Sequence, residues 1–255
     1  RSLASNLTMD TTLTTTLTNG TMALSTYTLT TGLFNGSGTA TRTIAFGTGN
    51  ITCTGTGTAW TTTTVTNLTV SGTPVVNVTS AGSTAITVTP GPLSEANSIS
   101  FNFTGGTYAL TFLGTASFTA KSVNFTGFAG TWGATSTTTI YGSLTLSTGM
   151  TLTASASALT FGATSGINTI TCNGKTMNFP ITFNGIGGTW KMTDTFSVAV
   201  TSRAITLTNG TIDFNSQTPT GTFTFVKATG TATVQNLTTA VALPITGGTL
   251  LLGSN

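Results

Sequence analysis

Apolar and polar residues alternate along most of this chain. In GSLTLSTGMTLTASASALTFG the apolar positions are Leu144, Leu146, Met150, Leu152, Ala154, Ala156 and Ala158, after which the parity slips to Leu159 and Phe161. A period of two puts successive side chains on opposite faces of a strand. A one-residue slip exchanges those faces, so it predicts a turn or bulge between two strands. SISFNFTGGTYALTFLG and GTFTFVKATGTATVQNL repeat the pattern. The runs are short, and Asn-Gly, Gly-Gly and Ser-Gly steps, which accept positive φ, separate them. No stretch carries apolar residues at helical spacing with charged flanks. The pattern predicts an all-β chain.

The chain also repeats its own phrases. LTNGT stands at Leu17–Thr21 and again at Leu207–Thr211. NFTGFAGTW ends at Trp132, TFNGIGGTW at Trp190 and GTGTAW at Trp60, so each tryptophan closely follows a Gly-Thr step. TIAFGTGNITCTG, from Thr43, resembles ALTFGATSGINTITCNG, from Ala158, and MDTTL at Met9 loosely resembles MTDTF at Met192. Two periods emerge, irregular coils of roughly 20 residues and a longer module of about 190 residues, and periods of this kind mark solenoids and arrays. A β-sandwich is the competing architecture, but sandwiches place charged residues on their solvent faces, and this chain has few to place. A solenoid can present ladders of threonine, whose cross-strand pairs contribute ~0.2–1 kcal/mol each. The expectation is a parallel β-helix over residues 1–255, one continuous solenoid slightly longer than one long module. The two LTNGT phrases should then be equivalent strands on the same side. Leu17 and Leu207 should point inward and Thr18 and Thr208 outward, with Asn19-Gly20 and Asn209-Gly210 turning the chain.

Composition sharpens this picture. Of 255 residues, 70 are Thr and 31 Gly, only 11 carry charge, and none is His. Hydrophobic residues make up 38% and mean hydropathy is positive. That supplies apolar area for a core and separates the chain from charged disordered sequences. The net charge of +3 comes from Arg1, Arg42, Lys121, Lys175, Lys191, Arg203 and Lys227, no two of them adjacent. Nucleic-acid surfaces need clustered cations, so the charge pattern argues against that partner. No apolar run approaches the ~20 residues of a membrane-spanning helix. The chain opens at Arg1 and reads as processed or as an excerpt of something longer.

Catalytic chemistry has little to work with. Without His there is neither a Ser-His-Asp arrangement nor a histidine-ligated metal. Glycoside cleavage wants two carboxyl groups ~5–10 Å apart. The four acids are Asp10, Glu95, Asp194 and Asp213, and only Asp194 and Asp213, close to one coil apart, form a plausible pair. Calcium would need clustered acids. Cys53 and Cys172 lie in similar phrases, NITCTG and TITCNG, and read as small buried residues at equivalent points of a repeat; a disulfide is the alternative. Trp60, Trp132 and Trp190 read as core residues, with a sugar-stacking platform as the alternative. Thr-x-Thr runs such as TTLTTTLTNGT and WTTTTVTNLTV could place ranks of hydroxyl and methyl groups on a flat face, as ice-binding solenoids do, but their spacing along the chain is uneven. No catalytic, metal-binding or cofactor-binding residue is expected.

The phrases TRTIAFGTGNITCTGTGTAW, TIYGSLTLSTGMTLTASASALTF and RAITLTNGTIDFN resemble modules of Thr/Gly-rich repetitive proteins predicted from uncultivated marine phages and bacteria. More distantly the chain is similar to the β-helical passenger regions of autotransporters and of filamentous-haemagglutinin-type adhesins. The resemblance implies an extracellular, cell-surface or virion-associated structural role without catalysis. The expected function is a segment of a long fibre or filament that associates end to end with copies or flanking modules, with neither nucleic acid nor membrane insertion. A glycan- or ice-binding module is the alternative.

Overall fold

Short runs rich in Thr, Val, Ile and Phe favour extended backbone because branched and aromatic side chains pack well on a pleated surface. The computed structural model describes residues 1–113, 117–133, 135–199, 203–220, 223–227, 232–237, 245–246 and 251–253, and in it these runs wind into a parallel β-solenoid. Each coil visits three faces in turn. The first face contains Leu7–Thr8, Thr28–Thr31, Asn50–Cys53, Val75–Val78, Ser100–Phe103, Val123–Asn124, Leu144–Thr145 and Ile167–Thr171. It continues through the ends of Ile181–Met192 and Arg203–Asp213 to Ala232–Gln235 and Leu251–Gly253. Every one of these pairings is parallel. The column that begins at Leu7 passes through Leu29, Ile51, Val76, Phe101, Val123, Leu144 and Ile170 to Met192. These spacings make the coil slightly longer than the repeated phrases predict, and its length varies from one coil to the next.

The second face runs from Thr14–Thr16 through Leu33–Asn35, Gly57–Thr62, Ile86–Pro90, Ala109–Phe112 and Thr131–Gly133 to Thr151–Leu152. The third begins with Gly20–Ala23, Arg42–Ala45 and Leu68–Ser71. A 3-10 turn, Glu95–Asn97, interrupts it, and it resumes at Phe118–Ala120, Thr138–Ile140 and Leu159–Phe161. The third face then passes into the starts of Ile181–Met192 and Arg203–Asp213. The parity slip after Ala158 falls between Thr151–Leu152 and Leu159–Phe161, in the connection between the second and third faces.

Parallel register stacks like upon like. Inside the first face Leu29, Ile51, Val76, Phe101, Val123, Leu144 and Ile170 form one buried column. Aromatic rings join across neighbouring coils: Phe34 stacks on Trp60 at 4.5 Å and 14°, Phe103 on Phe125 at 5.2 Å, and Phe161 on Phe183 at 5.0 Å. Such pairs add about 0.5–1.5 kcal/mol each beyond the apolar area they bury. Outside the same face a polar rank runs in register from Thr30 through Thr52, Asn77, Asn102, Asn124 and Thr145 to Thr171.

The two LTNGT phrases share their local chemistry but not their place. Leu17 and Leu207 are both buried, at 9% and 1% exposure, Thr18 and Thr208 face outward, and Gly20 and Gly210 have φ of +75° and +89°. The first phrase follows a second-face strand and opens a third-face one: the Leu17 amide donates to the Asn35 carbonyl, and Gly20 pairs with Arg42. The second phrase closes the third face and opens the first: Leu207 pairs with Phe183 and Thr211 with Thr189. The phrases thus turn two different corners of the coil, and the expectation that they are equivalent strands on one side is corrected. An inward Leu, an outward Thr and a positive-φ Gly suit any corner of a solenoid, so the phrase carries no information about which corner it makes.

Candidate functional site

Each of the four acids holds backbone or side-chain donors of its own fold. Asp10 accepts from the Thr12 hydroxyl at 2.7 Å and the Thr12 amide at 2.9 Å, which hold its carboxyl below the ordinary aspartate range. Asp194 reaches back one coil to accept from the amides of Cys172 at 2.7 Å and Asn173 at 2.5 Å. Asp213 accepts from the Asn215 amide at 2.8 Å and, one coil onward, from Asn236 Nδ2 at 2.7 Å. The Asp194–Asp213 pair suggested by sequence spacing does not form on one rank. Asp213 stands in register with Lys191, so Asp194 lies three residues farther along, past the end of that pairing. The two carboxylates serve different turns.

Glu95 is the acid with the widest reach. Its Oε1 lies 3.4 Å from Lys121 Nζ, and its Oε2 accepts from the Thr164 amide at 3.0 Å and the Thr164 hydroxyl at 2.6 Å, 69 positions along the chain. Burial pushes its carboxyl up, but the Thr164 bonds and the Lys121 charge outweigh burial and leave it below the ordinary glutamate range. Glu95 and Lys121 border a groove with Gly72, Pro74, Ser98 and Ser100. The groove opens where the 3-10 turn replaces a third-face strand, so the far edge of Leu68–Ser71 has no strand partner among the described residues.

Arg42, one of the scattered cations of the sequence, is buried completely. Its guanidinium has no carboxylate beside it among the described residues. Nε donates to the Ala40 carbonyl at 2.9 Å, and the two terminal nitrogens donate to the carbonyls of Gly36, Gly38, Thr64 and Thr66. Burial pulls its pKa below the ordinary arginine value. Arg42 ties together the corner loops of successive coils with fixed donors, a task that the planar five-donor fork suits. The alternation holds a signal for this: Arg42 shares parity with the buried Ile44 and Phe46. The side chains of Arg203 and Lys227 lie outside the described residues.

The cysteines and tryptophans are core residues. Cys53 and Cys172 are free and fully buried, and burial pushes both thiols up to about 12, Asp194 adding to the effect at Cys172. The first-face register puts them in one inward column, five coils apart. Five steps of ~4.8 Å lie far beyond the reach of a disulfide, which is therefore excluded on geometry. Trp60, Trp132 and Trp190 are completely buried, which removes the sugar-stacking platform. Trp60 Nε1 donates to Thr62 Oγ1 at 2.9 Å, whereas Trp132 Nε1 and Trp190 Nε1 have no partner among the described residues.

Among the described residues no group of three or more His, Cys, Asp or Glu side chains comes together to hold a metal ion, and no helix is long and apolar enough to cross a membrane. No protein family, curated protein or solved structure matches this chain.

Proposed function

We propose that this chain is a non-catalytic structural segment of a long extracellular fibre or filament, carried on a phage tail or a bacterial surface. The observation that carries the reading is the first face, one parallel ladder from Leu7–Thr8 to Leu251–Gly253. A parallel ladder propagates a shape along one axis and can be extended by any further coil in register. The use of all four carboxylates to hold turns also supports it, because a hydrolytic site needs carboxyl groups free to meet substrate.

The first coil shows how extension would occur. Leu7 stands in register with the buried Leu29 yet is 44% exposed, and Leu13 is 48% exposed. Leu7–Thr8 pairs with Thr28–Thr31 on one side only among the described residues. An unpaired strand edge recruits another strand. Covering coils, from whichever chain supplies them, would bury both leucines. The closing phrase GGTLLLGSN falls mostly outside the described residues, so the reading rests on the first coil. In analytical ultracentrifugation and electron microscopy the chain should associate end to end as concentration rises, one solenoid wide, and Leu7→Lys with Leu13→Lys should weaken that association. A strictly monomeric chain at high concentration would overturn the proposal.

A further inference from the structure

The outward side of the first face carries a second rank beside the one described above. One position either side of each inward residue faces solvent, so Thr28, Asn50, Val75 and Ser100 line up two residues before Thr30, Thr52, Asn77 and Asn102. Ser122 and Ser143, each immediately before a paired strand, continue the line with Thr169: the Phe101 amide donates to the Ser122 carbonyl, the Val123 amide to the Ser143 carbonyl, and the Thr169 amide to Ser143 Oγ. The register runs without a shift over these seven coils, whereas the second face slips between Thr87 and Val88 and the third around Asn184. The uneven spacing of Thr-x-Thr runs along the chain is thus absorbed by corners of unequal length, and the face itself is regular.

Three properties of this array restrict what it fits. Neither rank itself holds a charged side chain from Thr28 to Thr171, and the first to appear is Lys191, one coil beyond Thr169; the nearest charges, the paired Glu95 and Lys121, sit beside Val75 and Ser100 in the groove at the edge of the face. Its groups are fixed in place. Asn77 Nδ2 donates to Asn50 Oδ1 at 3.2 Å, Asn102 Nδ2 to Asn77 Oδ1 at 2.9 Å, and Thr169 Oγ1 to Ser143 Oγ at 3.2 Å, so these five side chains brace one another across coils. It is also two-dimensionally periodic, with ~4.8 Å between coils and ~6.7 Å between ranks. A flexible soluble ligand has no use for register over seven coils, but a crystal lattice does.

We propose that the first face is a binding surface for ice. Hydroxyl, amide and methyl groups held at two fixed repeats can order a layer of water that merges with a growing ice plane. Preorganisation is what makes such weak individual contacts add up, because little side-chain freedom remains to be lost on binding. The neutrality of the two ranks matches the neutrality of the lattice. A crystalline polysaccharide fits less well, since the face offers no exposed aromatic ring and all three tryptophans are buried. A second protein copy also fits less well, since protein interfaces centre on apolar anchors. Val75 is the sole large apolar residue on the two ranks. This activity does not depend on end-to-end assembly.

The test compares the chain with Thr52→Tyr plus Thr145→Tyr, which raise two bulky rings from the array at half-buried outward positions. Aromatic residues suit a strand, so the changes need not disturb the fold. Thr160→Tyr, outward on the third face, is the control. Thermal hysteresis and ice-recrystallisation inhibition are measured, with circular dichroism to confirm that each variant is folded. The unaltered chain and the Thr160 variant should arrest ice growth, and the double variant should lose that activity while remaining folded. Ice growth in the unaltered chain no different from buffer would overturn the proposal. So would full activity in the folded double variant, or co-sedimentation with crystalline cellulose or chitin in place of an effect on ice.

Discussion

Leu207→Asp is expected to prevent cooperative folding, and Thr208→Asp to leave it nearly intact. The two residues are neighbours, but Leu207 is 1% exposed against Phe183 in the adjoining coil, while Thr208 faces outward. An aspartate at 207 would have to bury a carboxylate with no partner or take up a proton, and it would also lose the leucine's packing. Together these cost on the order of 4 kcal/mol or more, much of a domain's net stability. At 208 the new carboxylate stays in contact with water, and a substitution of that kind changes stability by about 1 kcal/mol or less. Thermal unfolding followed by circular dichroism checks this. Equal tolerance of the two changes would mean that the faces of this strand are assigned the wrong way round.

The second large effect separates the two LTNGT phrases. Gly210→Ala should destabilise the fold by about 3 kcal/mol or more, and Gly20→Ala by about 1–2 kcal/mol. Both glycines have positive φ, so both alanines carry the backbone strain. They differ in what the added methyl group would meet. At Gly20 nothing lies within 4 Å, whereas at Gly210 the Cβ would stand 2.5 Å from the Gly185 carbonyl oxygen and 2.9 Å from that of Gly188. Those oxygens belong to the backbone of the adjoining coil and cannot swing aside as a side chain can. Denaturant unfolding of the two single variants measures the difference. Equal losses would indicate that the corner at Gly210 is looser than its geometry shows.

These paired sites show what local sequence can and cannot convey. Alternation reports which way a side chain points, and it pointed correctly at Leu17 and Leu207, while matching phrases placed both cysteines, and side-chain type the three tryptophans, in the core where they lie. The solenoid followed from alternation combined with a shortage of charge. Alternation does not report whether a run has enough apolar area to be held in a sheet. Ala154 and Ala156 continue the alternation of Leu152, yet both are exposed and lie in a connection. Alanine contributes too little surface to anchor a strand. Nor does alternation report the phase of a coil: the three faces share one alternation and one turn chemistry, so LTNGT could not reveal its corner. The contacts that define Glu95 and the ranks of the first face reach across whole coils and depend on the lengths of intervening corners, which no local pattern encodes. Arg42 is the exception, legible from its parity with Ile44 and Phe46 although arginine is ordinarily solvated.

Parallel register along the first face underlies the fold and both proposals, the fibre and the ice-binding surface, and pulsed dipolar spectroscopy between spin labels tests it most directly. With Cys53 and Cys172 replaced by alanine, labels are placed at Thr52 and Thr145 in one protein and at Thr30 and Thr171 in another. The register puts the first pair four coils apart and the second six. At ~4.8 Å per coil the backbone separations should grow in proportion to coil number, so the second pair should stand half as far apart again as the first. A Thr30–Thr171 distance equal to or shorter than the Thr52–Thr145 distance, as hairpin-paired sheets can produce, would contradict the solenoid.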